Sequence, residues 1–545
     1  MTMHFATLWE AISDALPDKP ALIHGETRRS WRDYDQRAAR LATVLSEAGI
    51  GHDSKVALYL QNRPEYLEGQ YGIFKLRGCS INANYRYTAD ELIYLLDNAD
   101  CEAVIFQGSY ADRITAIRER LPKLKLLIQV RDGDTPLLEG ALDYEQAIAA
   151  AAPMPRIARS EDDIYMLYTG GTTGMPKGVM YAVGEFVRRI TQLGASFRGL
   201  TAPQSVEEAV AMAKKLDQAG ASPVALSACP LMHGTGMWVG AIVPHNLGGT
   251  AVTLTGSHFD AHELWRTAEK ARASDIVIVG DAFAKPMLAA LEEAEAQGRR
   301  YDLSSVKLVI SSGVMWTTPV KEGLLRYGDM TLVDAMGASE GAMGVSVMAR
   351  NSMNAETARF QRYPTTKLFT DDGREVQPGS GEIGKIANGG LVPLGYYKDP
   401  KKSAETFKVI DGVRYSFPGD YAMLDAEGNL ILLGRGSVCI NTGGEKVYPE
   451  EVEEAIKSHP AVYDCLAVGV PDERFGERVT AVVSFRPGQR ASSEELIAHA
   501  REHIAGYKTP RAIVVVPEVR RAPNGKADYK WARETAREAS GVAPA

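Results

Sequence analysis

A segment rich in glycine and threonine, ending in a lysine, is the most informative chemical feature of the sequence. It follows the apolar run 164–168 and consists of Thr169, Gly170, Gly171, Thr172, Thr173, Gly174, Met175, Pro176 and Lys177. Glycines let the backbone approach a ligand closely and turn N–H groups into one concavity, while hydroxyls and the lysine add donors. Pro176 precedes the lysine, which excludes a Walker loop. The segment predicts a polyphosphate-binding loop, and a flexible surface turn is the alternative.

Three charged residues elsewhere have side chains suited to a bound nucleotide. Asp420 carries two acceptor oxygens for the two hydroxyls of a ribose, and such bonds contribute about 1.5–3 kcal/mol each. Arg435 is a permanent cation suited to ribose or phosphate oxygens. Glu340 is a candidate Mg²⁺ ligand, because Mg²⁺ sites combine one or two carboxylates with substrate phosphates. Taken singly, Asp420 could be a turn residue and Glu340 a solvated loop carboxylate.

One local pattern points to a different chemistry. Residues 337–341 (GASEG) fit the nucleophile elbow of α/β-hydrolases and follow the apolar pair 332–333. Histidines are present downstream, at His459, His499 and His503. A hydrolase would leave the phosphate-type loop and the segment around Lys526 without a role. A serine hydrolase using Ser339 is therefore only a remote alternative.

Seven motifs in a fixed order resemble those of the adenylate-forming (ANL) superfamily, which includes acyl-CoA synthetases, firefly luciferase and peptide-synthetase adenylation domains. After the loop come 230–234 (PLMHG), 334–340 (DAMGASE), 418–420 (PGD), 434–435 (GR), 443–451 (GGEKVYPEE) and 523–526 (PNGK). The resemblance covers nearly the whole chain. It implies an α/β fold, with a large N-terminal domain of helix-covered β-sheets and a small, mobile α+β C-terminal domain.

The resemblance also implies an AMP-forming acid–thiol ligase that uses ATP, Mg²⁺ and coenzyme A. A carboxylate would attack the α-phosphate to give acyl-AMP and pyrophosphate; the C-terminal module would rotate, and the thiol of coenzyme A would displace AMP. Lys526 would bridge the two anions of the first step, because a cation lowers their repulsion where charge develops. His233, Thr169 and Glu340 complete the implied catalytic set. Delivery of the acyl group to a carrier protein or another acceptor in trans is the alternative.

Further residues of these motifs are implied to contact the nucleotide or the coenzyme. They are Gly313, Asp334, Ala335, Met336, Gly337, Ser339, Gly443, Gly444 and Lys446, besides the loop, Asp420, Arg435 and Lys526. The chain departs from the family pattern at four of its motif positions. Met336 stands where a tyrosine usually stacks on adenine, and Ser339 and Pro418 replace threonines. Ser437 occupies the hinge position that usually holds Asp or Lys.

The acid itself is predicted from a set of small and apolar positions near the implied acyl site. The set is Gly236, Met237, Trp238, Ala282, Ala284, Gly313, Ala335 and Gly337, and the resemblance implies that His233 lies beside it, near the acyl carboxylate. It contains no charged group that could pair with a second carboxylate or an amino group, although the same residues could be core packing. Local stretches such as 395–400 and 505–508 look most like ligases of fatty acids and steroid side chains. We therefore expect a medium- or long-chain fatty acid or a steroid side-chain acid.

Short apolar runs alternate with amphipathic helices over most of the chain, which favours parallel sheets covered by helices. From residue 421 a hairpin with a Glu427-Gly428 turn and then a compact strand-and-helix module are predicted. Glycines tolerate large backbone changes, so 434–438 is predicted as a hinge between a domain 1–433 and a domain 439–545. The polar segment 202–224 is predicted as a surface helix, better explained as a solvated excursion than as a lid.

Composition limits the class of protein. The 545 residues include 69 acidic and 61 basic ones, a net charge of −8 that argues against nucleic acid as the main partner. The five cysteines lie far apart without a CxxC pair, which favours reduced, buried thiols. No apolar run is long enough to span a membrane. We expect a cytoplasmic protein whose partner is a small carboxylic acid, and a homodimer is compatible with the sequence.

Overall fold

The computed structural model describes residues 1–171, 174–352, 357–442, 445–472, 476–522 and 525–540. Its α-helices are α1 Phe5–Ala15, α2 Trp31–Glu47, α3 Pro64–Lys75, α4 Ala89–Asn98, α5 Ala111–Ile117, α6 Tyr144–Ala150, α7 Val183–Ser196, α8 Val206–Gln218, α9 Val243–Asn246, α10 Ala261–Ala271, α11 Asp281–Ala296, α12 Thr318–Leu325, α13 Pro400–Thr406, α14 Pro449–Lys457, α15 Ser493–His503 and α16 Tyr529–Ala539.

The strands complete the secondary structure. They are β1 Pro20–His24, β2 Thr27–Ser30, β3 Lys55–Tyr59, β4 Cys79–Asn82, β5 Cys101–Gln107, β6 Leu126–Val130, β7 Leu142–Asp143, β8 Ile164–Gly171, β9 Gly174–Ala182, β10 Val224–Ser227, β11 Thr250–Thr253, β12 Asp275–Ile278, β13 Leu308–Ser312, β14 Thr331–Ala338, β15 Gly341–Met348, β16 Arg359–Arg362, β17 Thr366–Phe369, β18 Gly384–Asn388, β19 Gly395–Tyr396, β20 Phe407–Ile410, β21 Val413–Ser416, β22 Asp420–Leu424, β23 Leu430–Arg435, β24 Ile440–Thr442, β25 Glu445–Val447, β26 Val462–Asp472, β27 Gly476–Phe485 and β28 Ala512–Val515.

Two compact units divide the chain. The first contains the described residues of Met1–Ala342, Ser346–Ala355 and Gly390–Ser416, and the second those of Met343–Val345, Glu356–Gly389 and Phe417–Ala545. The sequence-based boundaries at 433 and 439 divide the chain differently and stay a prediction. The chain thus passes between the units several times.

The first unit is built from parallel sheets, as the alternation of apolar runs and helices predicts. One sheet has the order β2-β1-β11-β10-β12-β13-β14, with parallel pairing from β1 onward, and another has the all-parallel order β4-β3-β5-β6-β7. A third, antiparallel sheet has the order β19-β9-β8. Helices contribute large buried side chains to the core between these elements, including Trp9, Trp31 and Tyr71. These observations confirm the predicted fold class for this unit.

The second unit contains antiparallel sheets and helices. One sheet has the order β16-β23-β22-β18, with β17 beside β18, and the other has the order β25-β24-β27-β26, with β28 parallel to β27. The predicted hairpin is confirmed, since β22 and β23 pair around a turn in which Gly428 has a φ of 82°. Helix α14, which begins at Pro449, belongs to the predicted strand-and-helix module.

The segment 202–224 forms the predicted helix, but its description as a solvated excursion is wrong. Helix α8 buries Val206, Ala209, Ala213 and Leu216, and these residues belong to the same core cluster as helix α1. Their spacing of three and four residues places them on one face of the helix. The polar residues that suggested a solvated segment occupy the opposite face.

The predicted burial of the cysteine thiols is confirmed for most of them. Four of the five cysteines, Cys79, Cys101, Cys229 and Cys465, are buried, and Cys439 is partly exposed. In the described residues, none of the cysteines forms a disulfide. No helix within the described ranges is both long and apolar enough to cross a bilayer.

Candidate active site

The predicted phosphate loop connects two antiparallel strands of the first unit. Strands β8 and β9 pair antiparallel from Ile164 opposite Ala182 to Thr169 opposite Lys177, so the described residues of the segment lie at the adjoining ends of these strands. Thr172 and Thr173, two of the predicted phosphate ligands, lie outside the described residues. The Lys177 ammonium lies 5.4 Å from the ring centroid of Tyr396, a residue that sequence analysis did not single out.

A partly buried amide holds the strand that leads into this loop. Asn82, at the end of β4, accepts a hydrogen bond from Tyr168 N–H (2.7 Å) and donates to the Tyr168 carbonyl (2.8 Å). Its Nδ2 also donates to the carbonyl of Met232 (2.7 Å). One side chain therefore joins the phosphate-loop strand to the turn that carries His233. The sequence shows only an asparagine that ends an apolar run, which does not reveal this role.

The carboxyl ends of parallel strands bring several predicted residues to one edge of a sheet. His233 follows β10, Ala282 follows β12, and Gly313 follows β13. Ser312 pairs with Ala335, so β14 carries Ala335, Met336 and Gly337 to the same edge. Ligands of open α/β sheets bind at this edge. The order of strands β10-β12-β13-β14 thus assembles the candidate acyl and nucleotide residues of the first unit.

Two strand-end positions have backbone features that suit a close ligand. Gly313 has a φ of 97°, and the nearest atom that an added Cβ would meet is 4.0 Å away, so open space adjoins it. At Gly337 an added Cβ would lie 3.2 Å from the Gly341 carbonyl oxygen, because the chain turns back sharply there. A side chain at Gly313 would thus enter open space, whereas one at Gly337 would crowd the returning strand.

The candidate acyl residues differ in how accessible they are. Met237 and Ala284 are buried in core clusters, and their contact with an acid stays a prediction. Trp238 is partly exposed, donates its indole N–H to the Tyr165 hydroxyl (2.8 Å), and packs at 5.2 Å between ring centroids against Phe186. Ala282 and Gly313 are accessible. The accessible members of the predicted acyl set are therefore fewer than the sequence suggests.

Glu340 lies in the turn between β14 and β15 and is held by two side chains. Its Oε1 accepts a hydrogen bond from the Tyr396 hydroxyl (2.7 Å), and its backbone carbonyl accepts one from Ser416 Oγ (2.9 Å). The Tyr181 hydroxyl donates to the neighbouring carbonyl of Ser339 (2.7 Å). Among the described residues, none donates a hydrogen bond to Glu340 Oε2. This oxygen is the candidate metal ligand.

The hydrolase alternative is wrong because Ser339 lies in a strand–turn–strand unit. Strand β14 ends at Ala338 and β15 begins at Gly341. A nucleophile elbow needs a strand followed by a helix, since the helix completes the sharp turn that exposes the serine. The match to G-x-S-x-G is a coincidence of spacing around Glu340.

Asp334 precedes these residues on β14 and faces the interior. It is 5% exposed and accepts a hydrogen bond from the Lys321 ammonium at 3.0 Å. Burial raises the pKa of the Asp334 carboxyl to about 6, and the charge of Lys321 opposes this shift. The carboxylate is engaged inside the protein, and a direct contact with nucleotide stays a prediction.

In the second unit, the predicted ribose residues lie opposite each other on neighbouring strands. Asp420 pairs with Arg435 in the β22–β23 ladder, and the Arg435 Nε donates to Asp420 Oδ1 at 3.3 Å. Gly419 has a φ of 102°, and no atom of the described residues lies within 4 Å of an added Cβ. The carboxylate is therefore oriented by Arg435 beside an open glycine.

A pair of buried carboxyls lies next to this strand pair. An added Cβ on Gly434 would be 1.9 Å from Glu450 Oε2, an atom that is shielded from solvent and has no hydrogen-bond partner among the described residues. Burial raises the pKa of Glu450 to about 8, and the charges of Glu453 and Asp420 add to the shift. Burial likewise raises the pKa of Glu453, whose Oε1 accepts from Ala467 N–H (3.1 Å).

The remaining predicted residues lie in the same unit. Lys526 is exposed, and its carbonyl accepts from Ala522 N–H (2.8 Å) in the turn where Gly525 has a φ of 73°. Gly443 and Gly444 lie outside the described residues, and only the backbone of Lys446, paired with Asn441, is described. Ser437 lies in a short 3₁₀ turn after β23. The proposed coenzyme contacts stay predictions.

Comparison with known proteins identifies close relatives along the whole chain. Profiles described as AMP-binding enzyme and AMP-binding enzyme C-terminal domain match residues 9–397 and 451–526. A medium/long-chain-fatty-acid–CoA/3-oxocholest-4-en-26-oate–CoA ligase of Mycolicibacterium smegmatis is 42% identical over 99% of this chain and 97% of its own. A 3-oxocholest-4-en-26-oate–CoA ligase of Rhodococcus rhodochrous is 40% identical over 98% and 96%.

Solved structures share the fold at lower identity. An anthranilate CoA ligase in complex with anthranoyl-AMP has a TM-score of 0.84 at 23% identity, covering 99% of both chains. A benzoate CoA ligase of Burkholderia xenovorans has a TM-score of 0.80 at 21% identity, covering 97% of this chain and 99% of its own. This likeness confirms the predicted fold class.

Proposed function

Because this chain belongs to the AMP-binding enzyme family, we propose that it is an ATP-dependent acyl-CoA ligase that proceeds through an acyl-adenylate. The relatives at about 40% identity bear out the prediction made from the seven motifs. The observation that carries the proposal is the meeting of two motifs at one side chain: Tyr396 bonds Glu340 and lies under Lys177. A predicted metal ligand and a predicted phosphate-loop cation are thereby brought to one place.

The substrate we propose is a medium- or long-chain fatty acid or a steroid side-chain acid. The relatives are named for these acids, and the accessible strand-end residues Ala282, Gly313 and Gly337 carry no charge. A second carboxylate or an amino group on the substrate would lose its hydration there without a partner of opposite charge. The tail of a hydrophobic acid has no polar group whose hydration would be lost, which favours such an acid over polar acids.

Magnesium fits the residues around Glu340. Its Oε2 is available while Oε1 is bonded to Tyr396, and a single carboxylate with substrate phosphates is a usual Mg²⁺ environment. Bound there, the ion would neutralise charge on the phosphates of ATP. Lys177 supplies a further cation, and the backbone of Glu340 is held in place by Ser416.

The nucleotide and the reacting carboxylate are assigned to separate groups of residues. Asp420, held by Arg435, accepts hydrogen bonds from the ribose hydroxyls. His233 and the strand-end residues bind the carboxylate end of the acid. Lys526 supplies the positive charge for the attack on the α-phosphate, where two anions must approach each other. The alternative acceptor of the acyl group is a carrier protein instead of coenzyme A.

A panel assay tests the proposal. Purified protein is incubated with ATP, Mg²⁺, coenzyme A and single acids from fatty, aromatic, dicarboxylic and sterol classes, and AMP and thioester are measured by mass spectrometry. We expect AMP and thioester in equal amounts with fatty or sterol acids and little product with dicarboxylic acids. Absence of AMP with every acid would refute adenylation. Acyl-AMP without thioester would favour the carrier alternative.

A further inference from the structure

Tyr396 is fixed by its backbone to the strand that leaves the phosphate loop. In the β19–β9 ladder, Tyr396 pairs with Val179 and Gly395 with Met180. On either side of Tyr396, Leu394 N–H donates to the Met180 carbonyl (2.7 Å) and Tyr397 N–H to the Gly178 carbonyl (2.8 Å). The position of Tyr396 is therefore tied to that of the loop.

The side chain of Tyr396 is equally well fixed. It is 7% exposed, its ring centroid lies 5.2 Å from that of Phe407, and its backbone N–H donates to Ser403 Oγ (2.8 Å). From this position the hydroxyl donates to Glu340 Oε1. Since a hydrogen bond between a phenol and a carboxylate is charge-assisted, it is stronger than one between neutral groups.

We propose that Tyr396 is a positioning residue that holds the Glu340 carboxylate in the orientation needed to bind Mg²⁺, and that it links this carboxylate to Lys177 of the phosphate loop. The inference rests on the proposed function, since it assigns Glu340 to the metal. The phenol occupies Oε1, which leaves Oε2 for the ion. Partners of metal-ligating carboxylates commonly contribute about 10- to 100-fold to metal affinity.

The local backbone does not depend on the Tyr396 hydroxyl. Ser416 holds the carbonyl of Glu340, and Tyr181 holds the carbonyl of Ser339. Tyr396→Phe keeps the ring, its packing on Phe407 and its face toward Lys177. The change therefore removes one hydrogen bond and leaves the Glu340 side chain free to rotate.

The next residue supplies a matched control. The Tyr397 hydroxyl also donates to a carboxylate at 2.7 Å, but its acceptor is Asp100 Oδ2, which Lys398 also contacts at 2.7 Å. Tyr397→Phe thus removes a bond of the same type and length on the same short stretch of chain, without touching Glu340. A difference between the two variants reports the partner of the hydroxyl.

The test measures Mn²⁺ binding, in place of Mg²⁺, to the ATP-bound full-length protein without acid, by electron paramagnetic resonance. We expect Tyr396→Phe to weaken Mn²⁺ affinity about 10- to 100-fold and Tyr397→Phe to leave it unchanged. In a Glu340→Gln background, Tyr396→Phe should have no further effect. ATP affinity without divalent metal should be equal in all variants, which verifies that they fold.

Two outcomes would overturn the inference. The first is wild-type Mn²⁺ affinity in Tyr396→Phe, and the second is an equal loss with and without Glu340→Gln, which would show a purely structural role. Both leave acyl-AMP formation by the wild type intact, so they do not touch the proposed function. A wild-type protein that binds no ATP and forms no acyl-AMP would refute both.

Discussion

Buried carboxyl groups are treated differently in the two units. In the first unit, Asp334 is paired with the ammonium of Lys321. In the described part of the second, Glu450 Oε2 has neither a hydrogen-bond partner nor contact with solvent, and another carboxyl, that of Glu453, adds to the shift of its pKa. Charge is compensated in place near Asp334, whereas near Glu450 the fold relies on a proton. Both units should therefore respond to pH, the first as Asp334 titrates with its pKa of about 6 and the second at higher pH, because the pKa of Glu450 is about 8.

The largest effect is expected when Asp334, in the first unit, is left without its charged partner. Lys321→Met leaves Asp334 buried without its partner, and removal of one member of a buried pair costs about 3–5 kcal/mol of stability. Chemical denaturation at neutral pH measures the loss in the free energy of unfolding. The control is Arg300→Met, whose partner Glu295 is exposed and whose removal should change little. A loss no greater than that of the control would contradict the compensation described for Asp334.

The next effect separates the two half-reactions. Lys526→Ala should raise the barrier of acid-dependent pyrophosphate release by about 2.7–4 kcal/mol, because the charge that stabilises the adenylation step is lost. Thioester formation from supplied acyl-AMP should be retained. Lys530→Ala, at another exposed lysine of the same unit, should leave both rates unchanged. Equal loss of both half-reactions in Lys526→Ala would count against its assignment to the first.

The smallest effect is expected when Glu450, in the second unit, is replaced by a residue that cannot ionise. Because the folded pKa of Glu450 is raised, folding favours the protonated form, and the wild type loses stability as pH rises from the ordinary value of 4.5 through about 8. Glu450→Gln cannot ionise, so we expect it to be more stable than the wild type by about 1–3 kcal/mol near pH 8.

Denaturation at several pH values measures this difference. The gap between the variant and the wild type should close as the pH falls below the ordinary value of 4.5, because Glu450 is then protonated in both states. The groups that face Glu450 are Glu453, Asp420 and Tyr529, and they are unchanged in the variant. A gap that is constant with pH would exclude Glu450 as the source.

The features that sequence reasoning found are those encoded locally. The run before Thr169 and the Glu427-Gly428 turn carry their structure in neighbouring residues, and β8 and the β22–β23 hairpin confirm both. Tyr396 and Glu340 are 56 positions apart, and Asn82 and Met232 are 150 apart. Their contacts arise from the order of strands in the sheets. The residues that orient the site therefore could not be predicted from spacing, whereas its motif residues could.

Each of the two units consists of separate segments of the chain, which has a consequence for folding during biosynthesis. The first unit includes residues 390–416, which bring Tyr396 and Ser416 to Glu340. The described residues within 356–389, which precede them in the chain, belong to the second unit. Domains commonly fold one after another as the chain leaves the ribosome. Here the first unit cannot be completed until Ser416 has emerged, when β16 and β18 have been synthesised but their partners β23 and β22 have not. Until then, both units of the nascent polypeptide are incomplete at the same time.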